Sequence, residues 1–231
     1  MKSLGWRALL VATCLVLIEA AVTAHPMTGK NATFVQGIQG PAVGPFLYLG
    51  AKHMVTGYDH LAFLVGVIFF LYRLRDVLLY VSLFTLGHSI TLLVGVIGRV
   101  GVNPYLVDTI IGLSVVYKAF ENMGGFERLL LIRPSTRIAV LVFGLFHGFG
   151  LASKLQEFEL SPTGLIANIL SFNVGVEIGQ GLALSAVLVA LGAWRSRSSF
   201  LRHAFATNAL LMTVGFVLAG HQAVGYFLAG P

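Results

Sequence analysis

A chain of 231 residues that is 57% hydrophobic and 10% charged has too little polar surface for a water-soluble globule, and its apolar runs approach or exceed the length that crosses a bilayer. The net charge of +6 comes largely from arginines placed between those runs, where they set topology; they form no continuous basic face, which excludes a nucleic-acid partner. The single cysteine, Cys14, excludes a disulfide framework and a thiolate metal cluster.

Lys2 and Arg7 precede an apolar stretch over 8–18, and Val22-Thr23-Ala24 supplies small residues at a cleavage position, so residues 1–24 read as a secretory signal peptide. Thr13 is a poor residue before Cys14 and the run continues past it, which argues against a lipoprotein acceptor. Cleavage after Ala24 makes His25 the first residue, able to chelate a metal through its amine and imidazole together. A signal anchor left in place, with His25 an ordinary loop residue, fits the same stretch. Residues 25–45 are Gly-rich and polar and read as a short external segment without a core.

From residue 46 onward the apolar runs predict helices over 46–72, 77–97, 105–122, 137–153, 163–194 and 204–228. The expected fold class is an all-α, polytopic membrane helix bundle of about six transmembrane helices after the signal. Arg73, Arg75, Arg128, Arg133, Arg137, Arg195, Arg197 and Arg202 fall in alternate loops, while the other loops carry only Lys30, Lys52, Arg99 and Lys154. Positive-inside then places the arginine-rich loops in the cytoplasm, the mature N-terminus outside and the chain in a bacterial inner membrane.

Acids and histidines interrupt these apolar runs: His53, Asp59 and His60 in the first, then His88, Glu121, His147 and Glu177. Each charged group at mid-membrane costs about 2.5–3.5 kcal/mol on insertion scales, so such groups face one another or a wet cavity and mark an ion or proton path. At about 1.5 Å of rise per residue, His60, His88, His147 and Asn173 lie near mid-membrane, His53 and Asp59 toward the outer side and Glu121 near the inner end. His53 and His60, seven apart, share a face of a continuous helix; Asn173, Glu177 and Gln180 form a second stripe, and both stripes are expected to point inward because lipid cannot satisfy them. Lys118 stands three residues before Glu121, a spacing that favours a structural ion pair.

Imidazole and carboxylate without thiolate suit a divalent transition metal, Ni(II) or Co(II) as well as Zn(II), Cu(II) or Fe(II). A structural network of interhelical hydrogen bonds is the bland reading of the same residues. No phosphate loop or other nucleotide signature occurs, so the chain does not hydrolyse ATP. Because histidine binds metal in its neutral form, uptake through such a site is expected to fall as external pH drops below about 6. Three histidines with acids also suit a catalytic metal, with Ser89 or Glu177 assisting a metal-bound water in intramembrane hydrolysis, or an accessory factor that hands metal to a membrane enzyme.

The blocks His53-Met-Val-Thr-Gly57-Tyr-Asp59-His60, Phe84-Thr-Leu-Gly-His88-Ser89, Ala119-Phe-Glu121-Asn122, Phe146-His147-Gly148-Phe-Gly150 and Phe172-Asn173-Val-Gly175-Val-Glu177-Ile-Gly-Gln180 occur in one order over residues 46–194. In this they resemble the HupE/UreJ family of hydrogenase and urease accessory membrane proteins. The resemblance implies a nickel or cobalt permease that supplies metalloenzymes, with maturation factors as partners. It implies His53, Asp59, His60, His88, His147 and Glu177 as metal residues, supported by Asn173, Glu121 and Asn122. Gln180 and Ser89 are placed beside these as polar support, and His221 and Gln222 in the last helix match no block.

Overall fold

A computed structural model describes residues 37–156 and 162–229, so the expected signal peptide and His25 lie outside the described residues. Among the described residues eight helices follow one another: α1 (Val43–Thr56), α2 (Tyr58–Ile68), α3 (Leu74–Ile97), α4 (Pro104–Asn122), α5 (Gly125–Leu129), α6 (Thr136–Gln156), α7 (Leu165–Arg195) and α8 (Ser199–Ala229). Four of them, α3, α6, α7 and α8, are long and apolar enough to cross a membrane. α4 is an uninterrupted 19-residue helix whose interior holds Asp108, Lys118 and Glu121.

The first predicted helix is not continuous. Gly57 leaves the helical region at φ −76°, ψ 91°, so the run divides into a 14-residue α1 and an 11-residue α2. The amide of Gly57 still donates to the His53 carbonyl at 2.8 Å, and its own carbonyl accepts from Leu61 at 3.0 Å, so the backbone groups at the break stay paired. Non-helical backbone at membrane depth survives only where protein surrounds it, and Gly57 is buried.

Three tightly packed helix pairs organise the bundle, each with glycine in its seam. Along α1 and α7, Gly50 lies against the backbone of Phe172 and Val176, and Gly175 against that of Leu47 and Ala51, so the two helices run parallel. Along α3 and α6, Gly144 meets Phe84 and Gly148 meets His88 and Thr91, again in parallel. α4 and α8 are antiparallel: Gly112 abuts Ala219, and Gly215 abuts Val116. Without a hydrophobic drive between helices in lipid, such close backbone approach is what holds them.

Polar clasps close the two ends. At one, Asn168 of α7 accepts from the Ala42 amide at 2.6 Å and donates to the Gly40 carbonyl at 3.1 Å, while Lys154 of α6 pairs with Asp108 of α4 at 2.8 Å. At the other, Arg195 of α7 donates to the carbonyls of Ile68, Phe69 and Leu71, at and just beyond the C-terminus of α2. Asn122 of α4 donates to the Gly66 carbonyl at 2.8 Å and to Asn208 of α8 at 2.9 Å. α2 is thereby fixed at its C-terminus by α4 and α7, with α8 joined through Asn122, and its N-terminus opens on the centre of the bundle.

Candidate metal centre

The break at Gly57 decides the geometry of the site. In a continuous helix, seven residues separate His53 and His60 by about 10 Å of rise; here the rings meet across the break with centroids 4.9 Å apart. His60 is the hub. Its ring lies 4.5 Å from that of His147 on α6 and 6.1 Å from that of His88 on α3, so four helices each contribute one histidine. None of the four is more than 7% exposed. Nitrogens of His53, His60 and His88 lie within 4.8 Å of one another, a set of three able to hold an ion.

Hydrogen bonds orient two of the rings. Nδ1–H of His60 donates to the Asp59 carboxylate at 2.9 Å, leaving Nε2 as the lone-pair nitrogen. Nδ1–H of His147 donates to the Phe143 carbonyl at 2.7 Å, with the same consequence. A carboxylate or carbonyl behind the imidazole is the usual support of a ligating histidine, fixing its tautomer and raising its basicity. Asp59 itself sits in the first turn of α2, where the positive end of the helix dipole favours a carboxylate.

Among the described residues, buried nitrogens without partners then accumulate: both of His53, both of His88, and Nε2 of His60 and of His147. A buried polar group left unpaired costs about 1–3 kcal/mol, so this cluster is a poor structural network and a good cation receptor. Phe84, with its ring 4.9 Å from that of His147, and Phe63, at 5.7 Å, wall the cluster with apolar surface. Bonds of about 2.0–2.1 Å from nitrogen to a divalent transition ion set ligand atoms roughly 3–4 Å apart, a spacing comparable with that of the His53, His60 and His88 nitrogens.

The HupE / UreJ protein family model matches residues 29–230, nearly the whole chain and all five blocks named above. The chain belongs to the HupE / UreJ family. No curated protein and no solved structure matches it.

The remaining residues singled out from the HupE / UreJ blocks are distributed around the cluster. Asn173 and Gln180 are buried on α7 and bond to α3: Ser89 Oγ donates to Asn173 Oδ1 at 3.3 Å, and Thr85 Oγ1 donates to Gln180 Oε1 at 3.0 Å. Glu177 does not join them. It is exposed, no hydrogen bond or ion pair reaches its carboxylate among the described residues, and the expected inward stripe on α7 is therefore split. The reason lies in the packing of α7: the face carrying Gly175 and Gly179 is taken by α1 and the face carrying Asn173 and Gln180 by α3, which leaves Glu177 at the outer rim of the α3 contact.

Glu121 is half-buried in an ion pair with Lys118 at 2.7 Å and accepts from the Thr136 hydroxyl, while Asn122 clasps α2 and α8. Both serve the end of the bundle away from the histidines. His221 is exposed on α8. Sequence reasoning passed over Thr85, four residues before Ser89 on the same face of α3, and Arg195, which it counted only as a topology signal. The i, i+4 hydroxyl spacing was the available sign for the first; nothing local marks the second.

Proposed function

We propose that the chain is a bacterial inner-membrane permease for a divalent transition-metal ion, nickel or cobalt by family, with the ion as cargo of the four-histidine centre. Six passes carry it, α1 and α2 together forming the first, with the arginine-bearing loops at the cytoplasmic side and the N-terminal segment outside. The observation that carries the reading is the convergence of His53, His60, His88 and His147 at a helix break, with unpartnered ring nitrogens and Asp59 behind the central ring. Broken helices at the bundle centre are the recurring means by which transporters bind ions at mid-membrane.

In this reading His53, at the end of α1, receives the ion, and His60, His88 and His147 complete its coordination. Asp59 offsets part of the charge of the ion and holds Nε2 of His60 toward the centre. An inside-negative potential suffices as a drive: a divalent cation gains about 4.6 kcal/mol per 100 mV, equivalent to roughly a 2000-fold concentration ratio. Intramembrane hydrolysis is less well supported, because the Ser89 hydroxyl is engaged with Asn173 and the Glu177 carboxylate faces away.

The deciding experiment is metal flux into proteoliposomes with an inside-negative potential, offering Ni(II), Co(II), Zn(II) and Cu(II) in turn to wild type, His88→Ala and the remote control His221→Ala. Accumulation of one ion, abolished in His88→Ala and kept in His221→Ala, is the expected result. Stoichiometric retention without flux overturns the permease reading and leaves a resident metal site.

A further inference from the structure

Three histidines of the centre each have a phenylalanine one turn along their helix, always toward the same end of the bundle. Phe63 follows His60 by three residues on α2, whereas Phe84 precedes His88 on α3, and Phe143 precedes His147 on α6, by four. α2 runs from the centre toward the Arg195 clasp, while α3 and α6 run from that end toward the centre. All three rings therefore belong to one layer, about 4.5–6 Å from the histidines on the clasp side. The layer is closed: Phe63 lies 5.6 Å from Phe84 and 5.6 Å from Phe143, and Phe84 stands 4.9 Å from the His147 ring. Phe63 and Phe84 are buried and Phe143 is half-buried. Beyond it Val67 and Val140, also buried, continue the apolar surface before polar groups resume at Tyr117, whose ring is 5.2 Å from that of Phe143, and at the Lys118 and Glu121 pair. On the opposite side of the centre the residues three positions from the same histidines are Gly57, Thr91 and Gly150, and there Asp59 is partly exposed.

We propose that Phe63, Phe84 and Phe143 form a hydrophobic gate, an apolar layer that seals the metal centre from the clasp end of the bundle and is closed in this structure. Its place as the last barrier before release rests on the permease reading, which assigns the clasp end to the cytoplasm and loads the centre from the Asp59 side. An aromatic constriction works by excluding water rather than by binding the ion, as hydrophobic constrictions gate channels by dewetting. Rings in contact offer an ion no oxygen or nitrogen ligand and leave no space for its hydration shell. Phe63 touches both of the other rings and closes the layer. The histidines then choose the ion by ligand chemistry, and the layer denies passage to protons and hydrated ions that the histidines do not hold. Phe172 separates this role from ordinary packing. It is as deeply buried and its ring lies 6.0 Å from that of His53, yet it stands outside the layer.

Because the barrier is to water, its first test contains no metal. Proton permeability is measured in proteoliposomes of the full chain under an imposed potassium diffusion potential, for wild type, Phe63→Ala, Phe84→Ala, the two combined, and Phe172→Ala. The double variant is expected to raise the proton leak by at least about tenfold and each single variant by less, while Phe172→Ala stays within about twofold of wild type. Should the double variant fail to assemble, Phe143→Ala combined with either single variant opens the same layer. Variants as proton-tight as wild type, or an equal leak in Phe172→Ala, overturn the gate. Where wild type moves metal, the double variant is expected to lose an accumulated ion at least about tenfold faster once the potential is removed, and retention equal to wild type also overturns the gate. Absence of wild-type metal flux beside a leaky double variant overturns the permease reading alone and leaves the seal.

Discussion

The carboxylate of Asp59 accepts both Nδ1–H of His60 and the His60 backbone amide, each at 2.9 Å, so one acid fixes the ring and the first turn of α2 together. The side chain of Asp59 keeps 31% of its surface exposed while that of His60 keeps 4%, so the pair joins a partly exposed acid to the buried centre. Asp59→Asn retains size and a carbonyl acceptor but loses the charge that strengthens His60 as a ligand. Losing such a supporting carboxylate typically costs about 10–100-fold in metal affinity. Equilibrium metal binding to the purified chain is expected to fall by that factor; a change under about twofold removes Asp59 from the site.

A Cβ at residue 57 meets the His53 carbonyl at 2.9 Å and His60 Nδ1 at 3.1 Å. Gly57→Ala therefore presses on the two groups that the break brings together. Alanine also favours helix over glycine by about 1 kcal/mol, and healing the break carries His60 about 10 Å along the axis from His53. The expected outcome is an unusual pair: metal affinity reduced tenfold or more, with apparent Tm unchanged or raised. Wild-type affinity in this variant means that the break does not build the site.

The helices and most of the cluster were legible in the sequence because apolar runs and lone histidines within them are local signals. The break was not. Gly95 and Gly112 also interrupt apolar runs, and both sit inside unbroken helices, α3 and α4, where they receive a neighbouring helix. Only the partner packed against a glycine tells a seam from a hinge. Glu177 failed for a related reason. Asn173, Glu177 and Gln180 fall within an arc of roughly 60° on a helical wheel, and which edge of that arc turns outward is settled by where α1 and α3 lie. The ion pair of Asp108 with Lys154, 46 positions apart, has no spacing that announces it.

Glycine substitutions on one helix separate packing from propensity. Gly175 of α7 rests on the Leu47 carbonyl, whereas Gly181 has nothing within 4 Å of an added Cβ. Gly175→Ala forces α1 from α7 and is expected to cost about 1–3 kcal/mol, as overpacked cores do. Gly181→Ala adds helix propensity without a clash and is expected to be neutral or stabilising by up to about 1 kcal/mol. Thermal melting of both variants in one detergent reads the difference directly; equal melting points contradict the parallel α1 and α7 seam.

Glu121 lies near the inner end of the proposed ion path, where a carboxylate could act as an exit or proton-release group, and its ion pair with Lys118 allows that role to be told from a structural clasp. Their side chains are 9% and 16% exposed, and Thr136 donates to the second oxygen of the carboxylate, so each oxygen of Glu121 has a partner within its end of the bundle. Lys118→Met strands a partly buried carboxylate, for which about 3–5 kcal/mol is the usual loss when one partner of a buried pair is removed. Lys118→Met with Glu121→Gln removes both charges and is expected to recover most of it. A structural clasp predicts this rescue in unfolding measurements together with unaltered metal affinity in the double variant. An exit or proton-release role for Glu121 predicts instead that metal flux in the stable double variant stays at the reduced level of the single Glu121→Gln change.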